Sequence, residues 1–461
     1  FNNISKNGAN TKAEQGGYID NNQAVFATFQ LGYMSWAYLD LTARNDWFST
    51  LANTDNERSG FFYPSVGVSA VVSEIVDLSK AYISFLKVRA SYSEVGNPPM
   101  RQITMPTYTI KDGVVNTSSR LLNPDLKPER TKSVEVGMNL RMFQNLLNID
   151  FTYYNSNTYN QFINYTMPPS TGYSNYMLNG GKVNNWGIEA RLGVNANLGP
   201  VKWNSNLTFT MNRNKVVYLL PSGATNPITG EPISITEIEP FNPQGSYKMI
   251  VKEGGTLSDI YVTGLKMDYL GNVKVDANTG AIEADPNTWI KAGSAAPRFN
   301  WGWNNSFSWK GINLSFLIDA RIGGVGVSAT QAKMDYYGTS KTSAIVRDNG
   351  GVNINSGRVT AKDYYNVLGN GSTGVLANYV YSMTNVRLRE ATLGYTFPTK
   401  WFGNQIQNLT VSLIGKNLFM FHNKAPFDPE LSASTGTYYQ GFDYFMQPSV
   451  RSIGFSVKFQ Y

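Results

Sequence analysis

The sequence predicts an all-β chain: a transmembrane antiparallel β-barrel wall with long loops at one rim and short turns at the other. Three observations predict it. Side chains alternate between apolar and polar over long stretches. These stretches run to about 10 residues or more, where soluble strands average about 5 or 6. Short connections take turns with long ones.

The alternation is clearest at the end of the chain. Across residues 451–461, Ile453, Phe455, Val457, Phe459 and Tyr461 share one face, and Ser452, Gly454, Ser456, Lys458 and Gln460 share the other. The apolar set suits lipid and the polar set a wet lumen. Residues 131–142 repeat the pattern, with Val134, Val136, Met138 and Leu140 opposite Glu135, Asn139 and Arg141. So do residues 185–198, where Ile188, Ala190, Leu192 and Val194 oppose Glu189, Arg191 and Asn195. Residues 201–212 set Trp203, Leu207 and Phe209 against Lys202, Asn204 and Thr208, and residues 312–322 set Leu314, Phe316 and Ile318 against Ser315 and Asp319. On the order of a dozen segments follow this rule. One changes phase: Val386 and Leu388 are even, whereas Ala391, Leu393 and Tyr395 are odd, which predicts a bulge near Arg389 and Glu390.

Residues 197–200 and 309–311 form short turns. Residues 95–130, 219–245, 324–379 and 421–450 form long loops rich in Gly, Asn, Pro, Ser and Tyr. A soluble sandwich or propeller is the competing architecture. Strand length and charge on the strands' polar faces argue against it, because a dry core penalises charge and a wet lumen does not.

Composition fits. Charged residues are 15% of the 461, below the roughly 25% of soluble domains, while aromatics reach 13%, a surplus that two interfacial girdles would absorb. No window of about 18 apolar residues occurs, so no transmembrane helix is expected. Cysteine is absent and His422 is the sole histidine, which excludes thiolate chemistry and leaves little for a transition metal or a catalytic triad. No enzymatic activity and no cofactor are expected. The net charge of +7 is spread thinly, so nucleic acid is not an expected partner. The chain begins at Phe1 without a charged-then-apolar leader, so any signal peptide is expected to have been removed.

Several motifs together resemble the C-terminal half of SusC/RagA-like TonB-dependent transporters of Bacteroidota. They are Asn123-Pro124-Asp125-Leu126-Lys127-Pro128-Glu129, Asn179-Gly180-Gly181-Lys182-Val183-Asn184-Asn185-Trp186-Gly187, Ala296-Pro297-Arg298-Phe299, Asn385-Val386-Arg387-Leu388-Arg389-Glu390 and Gly415-Lys416-Asn417-Leu418-Phe419. Arg44-Asn45-Asp46-Trp47 and Phe62-Tyr63-Pro64-Ser65 fit as well. The resemblance implies a C-terminal part of a barrel of about 22 strands over residues 1–461, with the plug and first strands supplied from elsewhere. A half-barrel leaves two edges that hydrocarbon does not tolerate, so the remaining half of the barrel is expected as a partner, whether as the rest of a longer chain, a piece cleaved from it or a separate chain.

The resemblance also implies residence in the outer membrane among lipid and lipopolysaccharide. It implies TonB-dependent import of glycans or oligopeptides, with a SusD-like surface lipoprotein over the loops and TonB acting through the plug. The alternatives are a scaffold barrel without transport and a passive porin. Loop aromatics Tyr336, Tyr337, Tyr364, Tyr365, Tyr438, Tyr439, Phe442, Tyr444 and Phe445 are the candidate contacts for substrate or partner, with loop packing as the competing role. Phe459 and Tyr461 resemble the terminal signal read by barrel-assembly machinery. Residues 276–285 resemble an acidic calcium loop, but the central Asp is missing and the spacing is one residue short, so a solvated turn is expected and calcium is the alternative.

Overall fold

The computed structural model describes residues 19–101, 103–105, 109–111, 114–116, 118–355, 357–371, 374–403, 406–430 and 440–460. Thirteen strands follow one another in an antiparallel meander: β1 Asn22–Tyr33, β2 Ala37–Phe48, β3 Phe61–Val71, β4 Ile83–Asn97, β5 Glu129–Met142, β6 Leu147–Thr166, β7 Asn175–Leu198, β8 Val201–Tyr218, β9 Phe299–Trp309, β10 Ile312–Ile322, β11 Asn385–Thr396, β12 Gln407–Asn423 and β13 Ser452–Gln460. The two-residue strand Arg120–Leu121 joins β7 in parallel and completes a sheet of 14. Each alternating segment read from the sequence coincides with one of these strands, the last of them over Ser452–Gln460, with Tyr461 outside the described residues.

The register aligns the alternation across the sheet. Leu39, Val68, Ala90, Val136, Tyr153 and Ile188 stand side by side on one face. Further along, Leu314, Leu393, Leu413 and Phe455 do the same. Val136 is 51% exposed and Leu413 57%, and a continuous exposed apolar band of this extent is a surface for lipid. The opposite face carries Asp40, Arg89, Glu135, Asp150, Glu189, Arg191 and Asp319. Among the described residues, β1 and β13 each have one neighbour, and all their residues are exposed.

Connections alternate as the sequence implies. At one rim four of the six connections are tight turns, where Ser35, Asn145, Gly199 and Gly311 take the positive φ that lets a two- to four-residue link reverse a strand; the links over residues 72–82 and 397–406 are longer. At the other rim stand the long excursions. The phase change in β11 is a bulge: Leu317 pairs with Glu390 and Ile318 with Leu388, leaving Arg389 as the extra residue. Opposite it, β12 also shifts register, and Asn417 adopts positive φ.

Two expectations change. The loop predicted to end at Gly245 continues to β9, and its strands Glu237–Gln244, Tyr247–Lys252, Asp259–Leu265 and Ala284–Ser294 form a separate sheet rather than wall. The loop over residues 324–379 contains three helices: α1 Ala329–Tyr336, α2 Lys341–Asp348 and α3 Ala361–Leu368. Each has eight residues, too few to show a helical apolar stripe, but each is capped. Ser328, Ser340 and Thr360 accept from the amides of Gln331, Ser343 and Asp363. Thr360 also donates its hydroxyl to the Asp363 carboxylate at 2.7 Å.

Candidate functional site

The long excursions from β8, β10 and β12 fold into one body above the wall. Its core joins Tyr247, Met249, Ile260 and Val262 of the first, Val327, Ala332, Leu368, Val375 and Tyr379 of the second, and Phe442 of the third. The Tyr247 and Phe442 rings meet at 4.6 Å between centroids. A small sheet binds the second and third excursions, with Val325–Ser328 between Val380–Ser382 and Phe442–Asp443.

An ionic cluster fixes this body to the wall. Arg387 lies 2.8 Å from Asp428 and 3.5 Å from Glu430. Across the bulge, Arg389 lies 2.6 Å from Asp319 and 2.5 Å from Glu430. Ser449 donates its hydroxyl and its amide to Asp428, so both ends of the last excursion converge on one carboxylate. Burial opposes the ionised form of Asp428. The Arg387 and Ser449 hydrogen bonds and the Glu430 amide outweigh it and bring the carboxyl down to about 2.

Beside this cluster opens a cleft of about 450 Å³. Its polar lining includes Ser328, Gln331, Asn423 and Asp443, and its apolar lining Met334, Met420, Phe427 and Met446. Ser328 donates to Asp443 at 2.6 Å, and Thr330 accepts from the Phe445 amide at 2.6 Å, which ties the first turn of α1 to the last excursion. None of these lining residues was a sequence candidate. Asp443 lies between two that were, Phe442 and Tyr444, and the neighbourhood was therefore legible while the carboxylate was not.

The aromatic candidates divide. Tyr337 is 71% exposed and Tyr444 48%, so both present open rings at the loop surface. Tyr336 packs edge-on against Tyr337 at 5.0 Å, and Tyr364 against Tyr365 at 5.2 Å. Phe442 and Tyr365 are buried and serve packing. Burial pushes the Tyr365 phenol up to about 12, and the neighbouring Asp335 charge adds to it. Phe445 is exposed at the cleft margin, next to Tyr444. Phe459 stands exposed on β13. Tyr438, Tyr439 and Tyr461 lie outside the described residues. In the acidic stretch, Asp276 accepts from the amides of Asn278 and Thr279 and from the Thr279 hydroxyl, which spends the carboxylate on its own turn. No cluster of three metal-ligating side chains occurs among the described residues.

The polar face of the wall is similarly built. Arg89 lies over Gly137 and reaches Asn139 at 2.7 Å, Asp150 at 3.1 Å and Thr152 at 2.5 Å. A Cβ on Gly137 would meet the Arg89 guanidinium carbon at 2.8 Å, so the guanidinium would have to shift from its place over the glycine.

A family model described as "TonB dependent receptor-like, beta-barrel" matches residues 1–314. The chain belongs to that family. Two relatives from Formosa agariphila agree with the assignment. TonB-dependent receptor P26 is 26% identical over 468 residues, covering 93% of this chain and 46% of that protein. TonB-dependent receptor P3 is 24% identical and covers 95% and 45%. The chain thus spans about half the length of the curated relatives it matches. The fold also matches the RagAB peptide importer in its closed-closed state, with a TM-score of 0.70, 18% identity, and coverage of 95% of this chain and 47% of that one. This TonB-dependent receptor barrel therefore shares the SusC/RagA-like architecture that its motifs resemble.

Proposed function

We propose that this chain is the wall and loop body of an outer-membrane importer that takes up glycans or oligopeptides at the expense of TonB-transmitted energy. The observation that carries the reading is the joining of three excursions into one body over a polar lumenal face. A passive pore has no need of an ion-clamped extracellular body, whereas a receptor that captures substrate before transport does. The similarity to a protein titled a peptide importer supports the same view. A SusD-like surface lipoprotein would sit over the loop body, and Tyr337 and Tyr444 offer it amphipathic rings. The remaining wall would join β1 and β13, and TonB would act through a plug within the completed barrel. Lipid and lipopolysaccharide would surround the apolar band. Phe459 and Tyr461 would mark the last strand for barrel assembly. No catalytic step is part of this reading.

The test is uptake of fluorescent oligopeptides and glycans by cells that carry or lack the complete gene, with and without functional TonB. Uptake should require both, and a surface lipoprotein should co-purify. A folded barrel whose loss leaves uptake of every tested substrate unchanged would point to a scaffold instead.

A further inference from the structure

The cleft between α1 and the last excursion contains an electrostatic imbalance. Asp428 at one side is neutralised by Arg387. Asp443 is not. It is 3% exposed, lines the cleft, and takes a hydroxyl from Ser328, but among the described residues no Lys or Arg lies within ion-pair distance of it. Residues 431–439, which precede it in the chain, contain no basic residue. The amino end of α1 contributes about half a positive charge at most, and a buried carboxylate ordinarily has a full cation for a partner.

The rest of the lining indicates what carries that cation. Met334, Met420, Met446 and Phe427 give soft apolar walls. Methionine adapts to side chains of varied shape, which suits a site that accepts many sequences. Gln331 already donates to Asp335, and Asn423 donates to the Phe427 carbonyl and accepts from the Ala425 amide, so each amide is held in place at the cleft with one remaining N–H to offer. The cleft's 450 Å³ lies within the roughly 300–1,000 Å³ of ordinary ligand sites. A neutral sugar would leave Asp443 without a counter-charge and would set hydroxyls against methionine.

We propose that this cleft receives the amino-terminal end of an oligopeptide, with the ammonium on Asp443 and the first side chains among the methionines. The proposal rests on the import reading and narrows its substrate to peptides with a free amino end.

The experiment is calorimetric titration of the complete purified transporter with a short alternating alanine–leucine peptide, either free or acetylated at its amino terminus. The free peptide should bind about tenfold or more tightly, the scale of one charge-assisted hydrogen bond. Asp443→Asn should remove the preference. Met334→Lys places an internal ammonium in the cleft from a position already 37% exposed, so folding is not at stake. It should weaken the free peptide and spare the acetylated one. Equal binding of the two peptides by the native protein, an unchanged preference in Met334→Lys, or tighter binding of a chitosan oligomer than of the free peptide would overturn the proposal. Because binding is read without TonB, a failure of energised uptake alongside an intact amine preference would count against the import reading alone.

Discussion

Arg387 and Asp428 meet at 2.8 Å with side chains 3% and 8% exposed, and this pair joins a strand of the wall to the last excursion, which lines the cleft. Neither partner has water to fall back on. Arg387→Ala or Asp428→Ala should therefore release the last excursion, at about 3–5 kcal/mol, because each strips a buried charge of its nearest counter-ion and leaves Glu430 on Arg387 or Ser449 on Asp428. Replacing both, as Arg387→Met with Asp428→Leu, should cost far less than the sum. Hydrogen exchange of residues 424–451, measured across the cycle, distinguishes the two outcomes.

Acid should loosen the same joint. The Asp428 carboxyl has an ordinary value of 3.8 and is held at about 2 in the folded protein. A lowered folded-state value means that the stabilisation is fully present above the unfolded value and lost as pH falls through the folded one. The contribution, on the order of 2 kcal/mol, is intact above about pH 4 and drains towards pH 2. Limited proteolysis of the loop body at stepped pH should show this window, and Asp428→Asn should erase it. A transition centred near pH 6 in both proteins would show that another group governs the joint.

The polar face offers a packing test. Gly137→Val should evict the Arg89 guanidinium and cost about 1–3 kcal/mol through strain and lost hydrogen bonds. In an Arg89→Ala background the same change should be nearly silent. Urea titration of barrels refolded in vesicles would measure both, and equal costs in the two backgrounds would refute the steric account.

The two faces of a single strand should respond in opposite ways. Val136 lies in the apolar band and Glu135 beside it points to the lumen. Val136→Arg should destabilise the membrane-inserted barrel by about 2–4 kcal/mol, whereas Glu135→Ala should stay within about 0.5 kcal/mol. Heat-modified mobility on gels reports the folded fraction of each.

Alternation alone located the strands, because a two-sided wall between lipid and water imposes a period of two on every segment that crosses it. It also placed the bulge at Arg389, since a phase change in that pattern has few other causes. What the alternation could not reveal was the loop body. The strands Tyr247–Lys252 and Asp259–Leu265 are buried on both faces and mix Lys248, Asp259 and Thr263 with apolar residues, so they show no clean alternation, and the helices are too short to announce a period. Candidate aromatics were legible as a class, but the sequence could not tell Tyr337, which is open, from Tyr365 or Phe442, which are core. The cleft was invisible for a related reason. Asp443, Ser328 and Met420 come from three separate segments, and only their convergence makes a cavity. The sequence thus determined the wall, through a constraint that acts residue by residue. The tertiary structure decided the joint, the cleft and the unneutralised carboxylate, because each depends on contacts between segments far apart in the chain, as Ser328 and Asp443 are, separated by 115 residues.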